Sequence, residues 1–408
     1  MKCRHCGQLI SLPFLDLGSA PPSNAYLSKT DLNGPETWFP LRLLVCENCW
    51  LVQTEDHAGR EALFTKSYAY FSSYSSTWLA HAQHYVSEMV TRFHLGRHSQ
   101  VVEVAANDGY LLQYVQKLGI SCYGIEPTTS TANAAREKGI KIIEQFFGES
   151  LANELVQNNQ QADLIVANNV LAHVPDINDF VKGFSRLLKP QGVATFEFPH
   201  LLKLVQENQF DTVYHEHYSY LSLTAVRHVF LSNGLTIFDV EELPTHGGSL
   251  RVFAQVSDSG THVCASAVSE LLQAEVAAGI DNKNFYQNFQ VCAENVKDYL
   301  LGFLLDTKRN GLKIGAYGAA AKGNTLLNFA GVRPDLLPYV VDKNPAKNGQ
   351  YMPGSRIPIV DEDHLRNHRP DYILILPWNL KTEVMAQLEY AREWGAKFVV
   401  AVPTLGVL

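Results

Sequence analysis

The sequence predicts an α/β protein built from three parts. Strand and helix patterns alternate in two separate stretches, which is typical of parallel sheets covered by helices on both faces. Two Cys-x-x-Cys pairs mark a third, smaller part near the N-terminus. We therefore expect a small N-terminal domain over residues 1–66, a central Rossmann-like sheet over 67–260 and a doubly wound C-terminal α/β domain over 261–408.

The composition indicates a globular protein with substantial hydrophobic cores. The 408 residues are 46% hydrophobic and 18% charged, and this length exceeds one ordinary domain. A net charge of −8 argues against a general nucleic-acid binder, whose surface would be basic. No apolar run approaches the roughly 18–20 residues that span a bilayer, and the N-terminus does not resemble a signal peptide. We expect a cytoplasmic protein without nucleic-acid or membrane partners; a monomer is compatible with the sequence, which leaves the oligomeric state open.

The N-terminal domain carries the pairs Cys3-x-x-Cys6 and Cys46-x-x-Cys49. In a chain without export signals, this spacing is typical of one zinc ion held by four thiolates rather than of disulfide bonds. Four thiolates leave no coordination position for a substrate. The zinc ion is therefore expected to be structural.

A tyrosine-rich motif, Tyr68-Ala-Tyr70-Phe-Ser-Ser-Tyr74, follows this domain. Its tyrosines either line a site or belong to a simple hinge between domains. Apolar residues then recur at helical spacing, which predicts a helix from about Ser75 to Phe93.

The central part reads as strands that alternate with helices. The apolar run from Val101 enters a turn of small residues, and a helix follows that turn. The other predicted elements are strands ending at Glu126, at 140–143, 163–167 and 192–198, helices at 179–188 and 223–233, and strands at 235–240 and 249–255.

Polar and aromatic residues follow the predicted strand ends, where sheets of this kind bind their ligands. Small residues after the first strand let a ligand approach the backbone. Glu126 is expected to accept hydrogen bonds from two ribose hydroxyls, and the phenylalanine pair offers a stacking face for an adenine. The candidate cofactor residues are Glu103, Ala105, Asn107, Asp108, Gly109, Glu126, Phe146, Phe147 and Asn168.

This pattern favours S-adenosylmethionine over a dinucleotide, because the first loop lacks the full Gly-x-Gly-x-x-Gly. Ala105 and Asn107 stand where glycines are usual in such loops. Another kind of nucleotide-binding sheet is the alternative.

The stretch Asp211-Thr-Val-Tyr-His-Glu-His-Tyr-Ser-Tyr220 concentrates groups that can move protons. On an extended backbone, His215 and His217 would face one side, and Tyr214 and Glu216 the other. In a turn, both sets could face a single cleft. A packing role over a sheet edge is the alternative to chemistry.

Two further segments could meet an anion. The turn Thr245-His246-Gly-Gly-Ser-Leu-Arg251 offers a histidine and an arginine, although an ordinary glycine hairpin would look the same. After a mostly helical stretch over 262–310, a strand from Ile314 enters a glycine-bearing turn and a helix start, which suits a phosphate. Lys322 and Asn324 are the candidate contacts there, and a purely structural lid is the alternative.

The chain resembles the nucleotide-sugar C-methyltransferases of deoxysugar biosynthesis, such as those of the tetronitrose type. The motifs that carry the resemblance are the two Cys-x-x-Cys pairs, Glu-Val-Ala-Ala-Asn-Asp-Gly, Tyr-His-Glu-His, His-Gly-Gly-Ser-Leu-Arg and Tyr-Gly-Ala-Ala-Ala-Lys-Gly, and they cover nearly the whole chain. It implies a zinc domain, a central class I methyltransferase domain that binds S-adenosylmethionine, and a C-terminal domain. The substrate would be a 4-keto-6-deoxy sugar on a nucleoside diphosphate, commonly dTDP.

The resemblance also implies residue roles. His217 matches the general base, and Tyr214 and Glu216 match its neighbours. Tyr68 and His173 match further residues around the sugar, with Tyr70 also placed at the substrate. A C4 ketone acidifies the protons on C3 and C5, so His217 would form an enolate, and a phenol or imidazole from Tyr214, Tyr68 or His173 would stabilise its oxygen. Glu216 would orient a partner or hold a sugar hydroxyl, since its charge would oppose the enolate.

Two other functions fit the same residues. The protein could methylate oxygen or nitrogen of a small molecule, which needs no carbon acid. It could also be a non-enzymatic sensor of a nucleotide sugar, which needs no S-adenosylmethionine. We expect methylation at C3, with C5 left open.

Overall fold

The computed structural model of the chain describes residues 1–55, 57 and 71–408. The predictions for Tyr68 and Tyr70 lie outside these residues. Within them, every helix is too short or too polar to cross a bilayer.

The described strands form three sheets, and their bounds follow the chain. They are β1 Leu12–Ala20, β2 Phe39–Val45, β3 Val52–Thr54, β4 Gln100–Val104, β5 Ser121–Ile125, β6 Ile142–Ile143, β7 Ala162–Asn168, β8 Leu188–Pro199, β9 Ser219–Tyr220, β10 Leu235–Leu243, β11 Ser249–Val256, β12 Ile314–Tyr317, β13 Val340–Val341, β14 Ile359–Val360, β15 Tyr372–Ile375, β16 Lys397–Val400 and β17 Gly406–Val407.

The α-helices cover the two larger sheets and connect them. Those described are Ser76–Arg92, Leu112–Lys117, Thr129–Glu137, Glu149–Gln157, Ile177–Leu187, Leu201–Gln206, Leu223–Ser232, Ser266–Ala278, Lys283–Gln287, Phe289–Arg309, Ala321–Phe329, Glu362–His368 and Lys381–Gln387.

The central sheet has the order β10-β11-β8-β7-β4-β5-β6. Strands β4 to β8 run parallel, whereas β11 is antiparallel to both β8 and β10. Its middle strands are nearly continuous apolar runs because helices cover both faces, so neither face needs polar residues. The predicted Rossmann-like sheet of a class I methyltransferase is confirmed.

Several predicted boundaries shift by a few residues. The strand predicted over 140–143 is reduced to Ile142–Ile143, because Ile140 follows a left-handed Gly139 that closes the preceding helix. Strand β10 continues past the predicted Val240 to Leu243, since its pairing with β11 extends to Ser249. The helix predicted from Ser75 to Phe93 is confirmed over Ser76–Arg92, with the Ser75 hydroxyl accepting from the Trp78 amide as its N-cap.

The C-terminal sheet has the order β14-β13-β12-β15-β16-β17, parallel except for β17. This confirms the predicted second α/β domain. The antiparallel N-terminal sheet, β1-β2-β3-β9, takes its last strand from the central part of the chain. Its Phe14 ring packs on Tyr286 and Phe289 of the helices before the C-terminal sheet, with ring centroids 5.6 and 4.8 Å away. The N-terminal part therefore shares a core with the C-terminal domain.

Candidate active site and zinc site

The four predicted cysteines converge in the N-terminal part. Their sulfur atoms all lie within 4.8 Å of one another. The Sγ atoms of Cys3 and Cys49 are 3.6 Å apart, and those of Cys6 and Cys46 are 3.5 Å apart. Tetrahedral zinc with Zn–S bonds of about 2.3 Å needs sulfurs just under about 4 Å apart, so the thiols fit one ion. The Gln53 side-chain amide donates to Cys3 Sγ at 3.4 Å, which would support the bound thiolate.

A cavity of about 430 Å³ lies where the three parts of the protein meet. The central sheet supplies its floor at the carboxyl ends of its parallel strands, as expected for this topology. Loops of the N-terminal and C-terminal parts close it. The predicted residues that line it are Ala105, Asn107, Glu126, Phe146, Phe147, Asn168, His173, Tyr214, Glu216, His217, His246 and Lys322.

The turn after β4 and the carboxyl group of Glu126 form one end of the cavity. Glu126 is 5% exposed and accepts hydrogen bonds from the Asn107 and Thr128 amides, both at 2.9 Å. Burial raises the pKa of its carboxyl group. Ala105 and Asn107 hold left-handed backbone angles, with φ of +58° and +48°. A non-glycine residue in this conformation costs about 1–3 kcal/mol, and such strain is found where a ligand needs a close backbone approach.

Three of the predicted cofactor residues support this turn from outside the cavity wall. Glu103 is fully buried beneath it, and burial raises its pKa well above the ordinary value. Asp108 accepts the Ser73 amide and pairs with Lys138 at 3.3 Å. Gly109 has a φ of +75°, and a Cβ there would lie 2.3 Å from the Ile140 side chain. These residues shape the turn, and their direct contact with a cofactor stays a prediction.

The segment 214–217 is a turn, so the extended alternative is wrong for it. The His217 amide donates to the Tyr214 carbonyl at 3.0 Å. The turn brings Tyr214, Glu216 and His217 to the same cavity. His215 points elsewhere: its Nε2 lies 3.3 Å from the carbonyls of Phe39 and Pro40 in the N-terminal part.

His217 has the tautomer and charge that a base requires. Its Nδ1 lies 3.1 Å from the Thr212 carbonyl, which can only accept, so Nδ1 carries the proton and Nε2 carries the lone pair. Burial, and then the neighbouring His173, hold the pKa of His217 well below 6.5. The ring is therefore neutral at physiological pH.

Two other rings surround His217. Tyr214 lies with its ring centroid 4.0 Å away, and His173 contacts it edge-on at 4.6 Å. His173 donates from Nδ1 to the Glu216 carbonyl at 2.9 Å, and burial lowers its pKa to about 4. A phenol and two neutral imidazoles thus share one small region, next to the buried carboxyl group of Glu216.

The turn near residue 246 divides the two residues predicted there. His246 lines the cavity, packs against Trp78 at 5.3 Å between ring centroids, and has its pKa lowered to about 4 by burial. Arg251 does not reach the cavity. Its guanidinium group binds Glu197 at 2.8 Å, Glu241 at 2.9 Å and Glu88 at 3.1 Å, and is 3% exposed. Its charge is already balanced by three carboxylates, so the structure does not support a substrate anion there.

The C-terminal domain presents Lys322 to the cavity from the first turn of the helix Ala321–Phe329. Its ammonium group lies 4.4 Å from the centre of the Trp378 ring and donates to the Asn379 side chain at 3.1 Å. Burial lowers its pKa to about 8. Asn324 points instead to the N-terminal part and donates to the Ser23 carbonyl at 2.6 Å, so the structure does not bring it to the cavity.

The glycine-bearing turn before this helix is largely satisfied within the protein. The Ala319 amide donates to Asp342 at 2.8 Å, the Gly318 amide to the Val341 carbonyl at 2.7 Å and the Ala320 amide to the Gly318 carbonyl at 2.8 Å. The cavity therefore meets this region mainly through Ala320, Ala321 and Lys322.

Sequence reasoning missed three polar residues of the cavity: Asn24, Tyr26 and Lys347. Asn24 donates to Glu216, and Tyr26 and Lys347 both donate to the Ala319 carbonyl. The turn sequence Pro-Pro-Ser-Asn at Asn24 was a usable local signal for a loop. Its position over a distant site had no counterpart in the sequence.

Comparison with known proteins agrees with the three parts. A zinc-binding domain model matches residues 3–64, a methyltransferase domain model matches 78–240, and a C-methyltransferase C-terminal domain model matches 244–403. These matches follow the order of the three sheets.

The chain is also similar to individual proteins. The C-methyltransferase NovU of Streptomyces niveus is 33% identical over 402 residues, which are 98% of this chain and 95% of that protein. A ubiquinone biosynthesis O-methyltransferase of Actinobacillus pleuropneumoniae serotype 7 is 30% identical over 106 residues, 24% of this chain and 44% of that protein. Among solved structures, magnesium protoporphyrin IX methyltransferase from Synechocystis PCC 6803 has a TM-score of 0.36 and 16% identity, covering 44% of this chain and 83% of that chain.

Full-length similarity to NovU, the three domain matches in order and the four converged thiols all point the same way. The chain belongs to the family of zinc-binding, S-adenosylmethionine-dependent C-methyltransferases.

Proposed function

We propose that the protein methylates C3 of a 4-keto-6-deoxy sugar carried on a nucleoside diphosphate, probably dTDP in view of the sequence motifs, and that His217 is the base. The observation that carries this proposal is the neutral His217, whose lone pair is on Nε2, in the same cavity as Glu126. Neutral imidazole is a competent base for a carbon acid whose proton is acidified by an adjacent ketone.

The cofactor end of the cavity is the strand-end region around Glu126. Its carboxyl group would accept the ribose hydroxyls of S-adenosylmethionine, and Phe146 and Phe147, which line the same wall, would contact the adenine. Glu126 already accepts two backbone amides, which orients the carboxyl group before any ligand binds. When bound, S-adenosylmethionine supplies the methyl group that the substrate carbon takes up.

The reaction needs one proton acceptor and donors for one developing oxyanion. His217 Nε2 takes the C3 proton, and the two electrons of the C–H bond pass into an enolate with its charge on O4. Tyr214 and His173, whose rings flank His217, are placed to donate to that oxygen. Glu216 would hold a sugar hydroxyl, since a carboxylate beside the enolate oxygen would oppose its charge.

The anionic part of the substrate would lie against the C-terminal domain. Lys322 and Lys347 are the cations of the cavity wall there, and both are contributed by that domain. Lys347 is partly neutralised by Asp342 at 3.4 Å, whereas Lys322 donates to a neutral amide. Lys322 is therefore the stronger candidate for contact with a diphosphate.

Hydrogen exchange tests this proposal directly. Proton NMR of a 4-keto-6-deoxy sugar nucleotide in D2O should show loss of the C3 proton signal with enzyme present, and a new C-methyl signal after S-adenosylmethionine is added. Exchange should disappear in His217→Asn. Methyl transfer to oxygen or nitrogen without exchange at carbon would overturn the proposal, and so would tight sugar-nucleotide binding with no affinity for S-adenosylmethionine.

A further inference from the structure

A loop of the zinc-binding part, residues 21–27, crosses to the catalytic cavity and is tied to the C-terminal domain. The Ala25 amide donates to the Pro22 carbonyl at 3.0 Å, which closes a turn with Asn24 in its third position. Asn324 donates to the Ser23 carbonyl at 2.6 Å, and the Tyr26 hydroxyl donates to the Ala319 carbonyl at 2.6 Å. These contacts fix the backbone on both sides of Asn24.

The fixed loop brings the Asn24 amide to Glu216. Its Nδ2 donates to Glu216 Oε1 at 3.1 Å, and because a carboxylate oxygen only accepts, the nitrogen must face it. Glu216 is 1% exposed and lines the cavity. Its other oxygen, Oε2, is buried and has no hydrogen-bond partner among the residues that the structure describes. A buried carboxyl oxygen without a partner is costly, so this atom indicates where a donor from the substrate belongs.

We propose that Asn24 is a positioning residue, which holds Oε1 of Glu216 and thereby presents Oε2 to a hydroxyl group of the substrate. The inference rests on the proposed function, since a sugar has a hydroxyl to offer next to the reacting carbon. Without the amide, the carboxyl group would be free to rotate and would gain a proton more readily. Burial raises the pKa of Glu216, and hydrogen bonding to its own backbone and to Asn24 limits that rise.

A double-mutant cycle tests whether Asn24 acts through Glu216. Asn24→Ala should lower kcat/KM by roughly tenfold to a hundredfold, as expected for loss of a hydrogen bond to a charged group. In a Glu216→Gln background the same change should have little further effect, because the group it positions has already been replaced. Asn33→Ala is the matched control: Asn33 is an exposed asparagine of the same part of the protein.

A second measurement needs no substrate. The carboxyl infrared band that disappears in Glu216→Gln reports the titration of Glu216. Asn24→Ala should raise its pKa, and the isosteric Asn24→Asp should raise it further by placing a second carboxyl group beside it. Asn33→Ala should leave it unchanged. Zinc content and S-adenosylmethionine affinity should be equal in all these variants.

The two measurements separate the inference from the function on which it rests. If the wild-type protein neither exchanges nor methylates any sugar nucleotide while the infrared shift is seen, the proposed function fails and the contact between Asn24 and Glu216 stands. If the wild-type protein is active but the cycle is additive and the Glu216 titration does not move, the inference about Asn24 is wrong.

Discussion

At the scale of single residues, His217 is oriented by a backbone carbonyl rather than by a carboxylate. Thr212 accepts from its Nδ1, which leaves Nε2 as the basic atom. A carboxylate in that place would raise the basicity of the ring and keep it protonated. A carbonyl fixes the tautomer without adding charge, which suits a site that must itself tolerate an anionic enolate.

Replacing this base should abolish catalysis and spare binding. In His217→Asn, kcat should fall by roughly 10²–10⁴-fold, since an amide cannot accept the proton. Affinity for S-adenosylmethionine, measured by titration calorimetry, should be retained. His215→Asn is the matched control because His215 faces carbonyls of the N-terminal part and should affect kcat far less. Equal losses in the two variants would argue against the assignment.

The acidity of His217 also predicts a pH dependence. Its pKa lies well below 6.5 because burial and His173 disfavour the imidazolium form. The active, neutral form should therefore persist as the pH falls through 6.5, and kcat/KM should decline only at more acidic pH, where the ring gains its proton. A pH profile measured over the range in which the protein stays folded checks this. An acidic limb centred at or above the ordinary histidine value would contradict it.

Glu126 should control the affinity for the cofactor. Glu126→Ala removes the acceptor for the ribose hydroxyls, and a hydrogen bond to a charged group contributes on the order of 1.5–3 kcal/mol. Binding of S-adenosylmethionine should weaken by about tenfold or more in titration calorimetry. Glu137→Ala, an exposed carboxylate at the end of the helix Thr129–Glu137, is the control. Unchanged affinity in Glu126→Ala would place the ribose elsewhere.

Residue types and spacing predicted which short segments reach the cavity but not which side chain in each segment does so. His215 and His217 are the same residue two positions apart, and a single turn separates their environments. Arg251 is a strong anion ligand by chemistry, yet three carboxylates from other elements surround it. Both outcomes depend on partners distant in sequence, which local patterns do not contain.

At the scale of elements, the helix Ala321–Phe329 joins three regions around the cavity. Lys322 faces the cavity, Asn324 donates to the Ser23 carbonyl and Thr325 donates to the Val213 carbonyl at 2.7 Å. Val213 directly precedes Tyr214, so this helix sets the position of the catalytic turn as well as that of the N-terminal loop.

Its lysine should report on substrate rather than cofactor binding. Lys322→Ala should raise the KM for the sugar nucleotide by about tenfold or more, the loss expected for one charge-assisted hydrogen bond to a phosphate. Affinity for S-adenosylmethionine should stay nearly unchanged. Lys343→Ala is the control, since Lys343 is an exposed lysine of the same domain. A loss confined to cofactor binding would contradict the arrangement.

The long elements were predictable because their periodicity is long, as in the helix Ser76–Arg92 and the strands β7 and β8. Strand β9 was not. It has two residues, Ser219 and Tyr220, and exists only because Val52 and Gln53 pair with it from far along the chain. No pattern within two residues can indicate such a partner.

At the scale of the whole molecule, the zinc-binding part contributes to a cavity that it does not contain. Its loop supplies Asn24 and Tyr26, and its sheet packs on helices of the C-terminal domain. Loss of the metal should therefore act first on stability and then on activity, through the position of that loop.

Metal removal tests this order. The purified protein should contain one zinc ion per chain by elemental analysis, and Cys49→Ala should lower the thermal midpoint, because binding of a structural metal is linked to folding. Methyl transfer should be lost over the same temperature range rather than before unfolding. Cys264→Ser, at an exposed cysteine outside the cluster, is the control. A zinc-free wild-type protein, prepared without chelators, would refute the site.

The pairing of β3 with β9 also has a consequence for synthesis. The Thr54 hydroxyl donates to the carbonyl of His217, 163 residues further along. At about 5–20 residues per second, the ribosome takes roughly ten to thirty seconds to cover that distance. During this interval the nascent N-terminal sheet presents β3 as an unpaired edge, a ready template for wrong partners. The strand that covers this edge follows directly on the catalytic turn, so the newly made chain protects itself and assembles its active site in the same step.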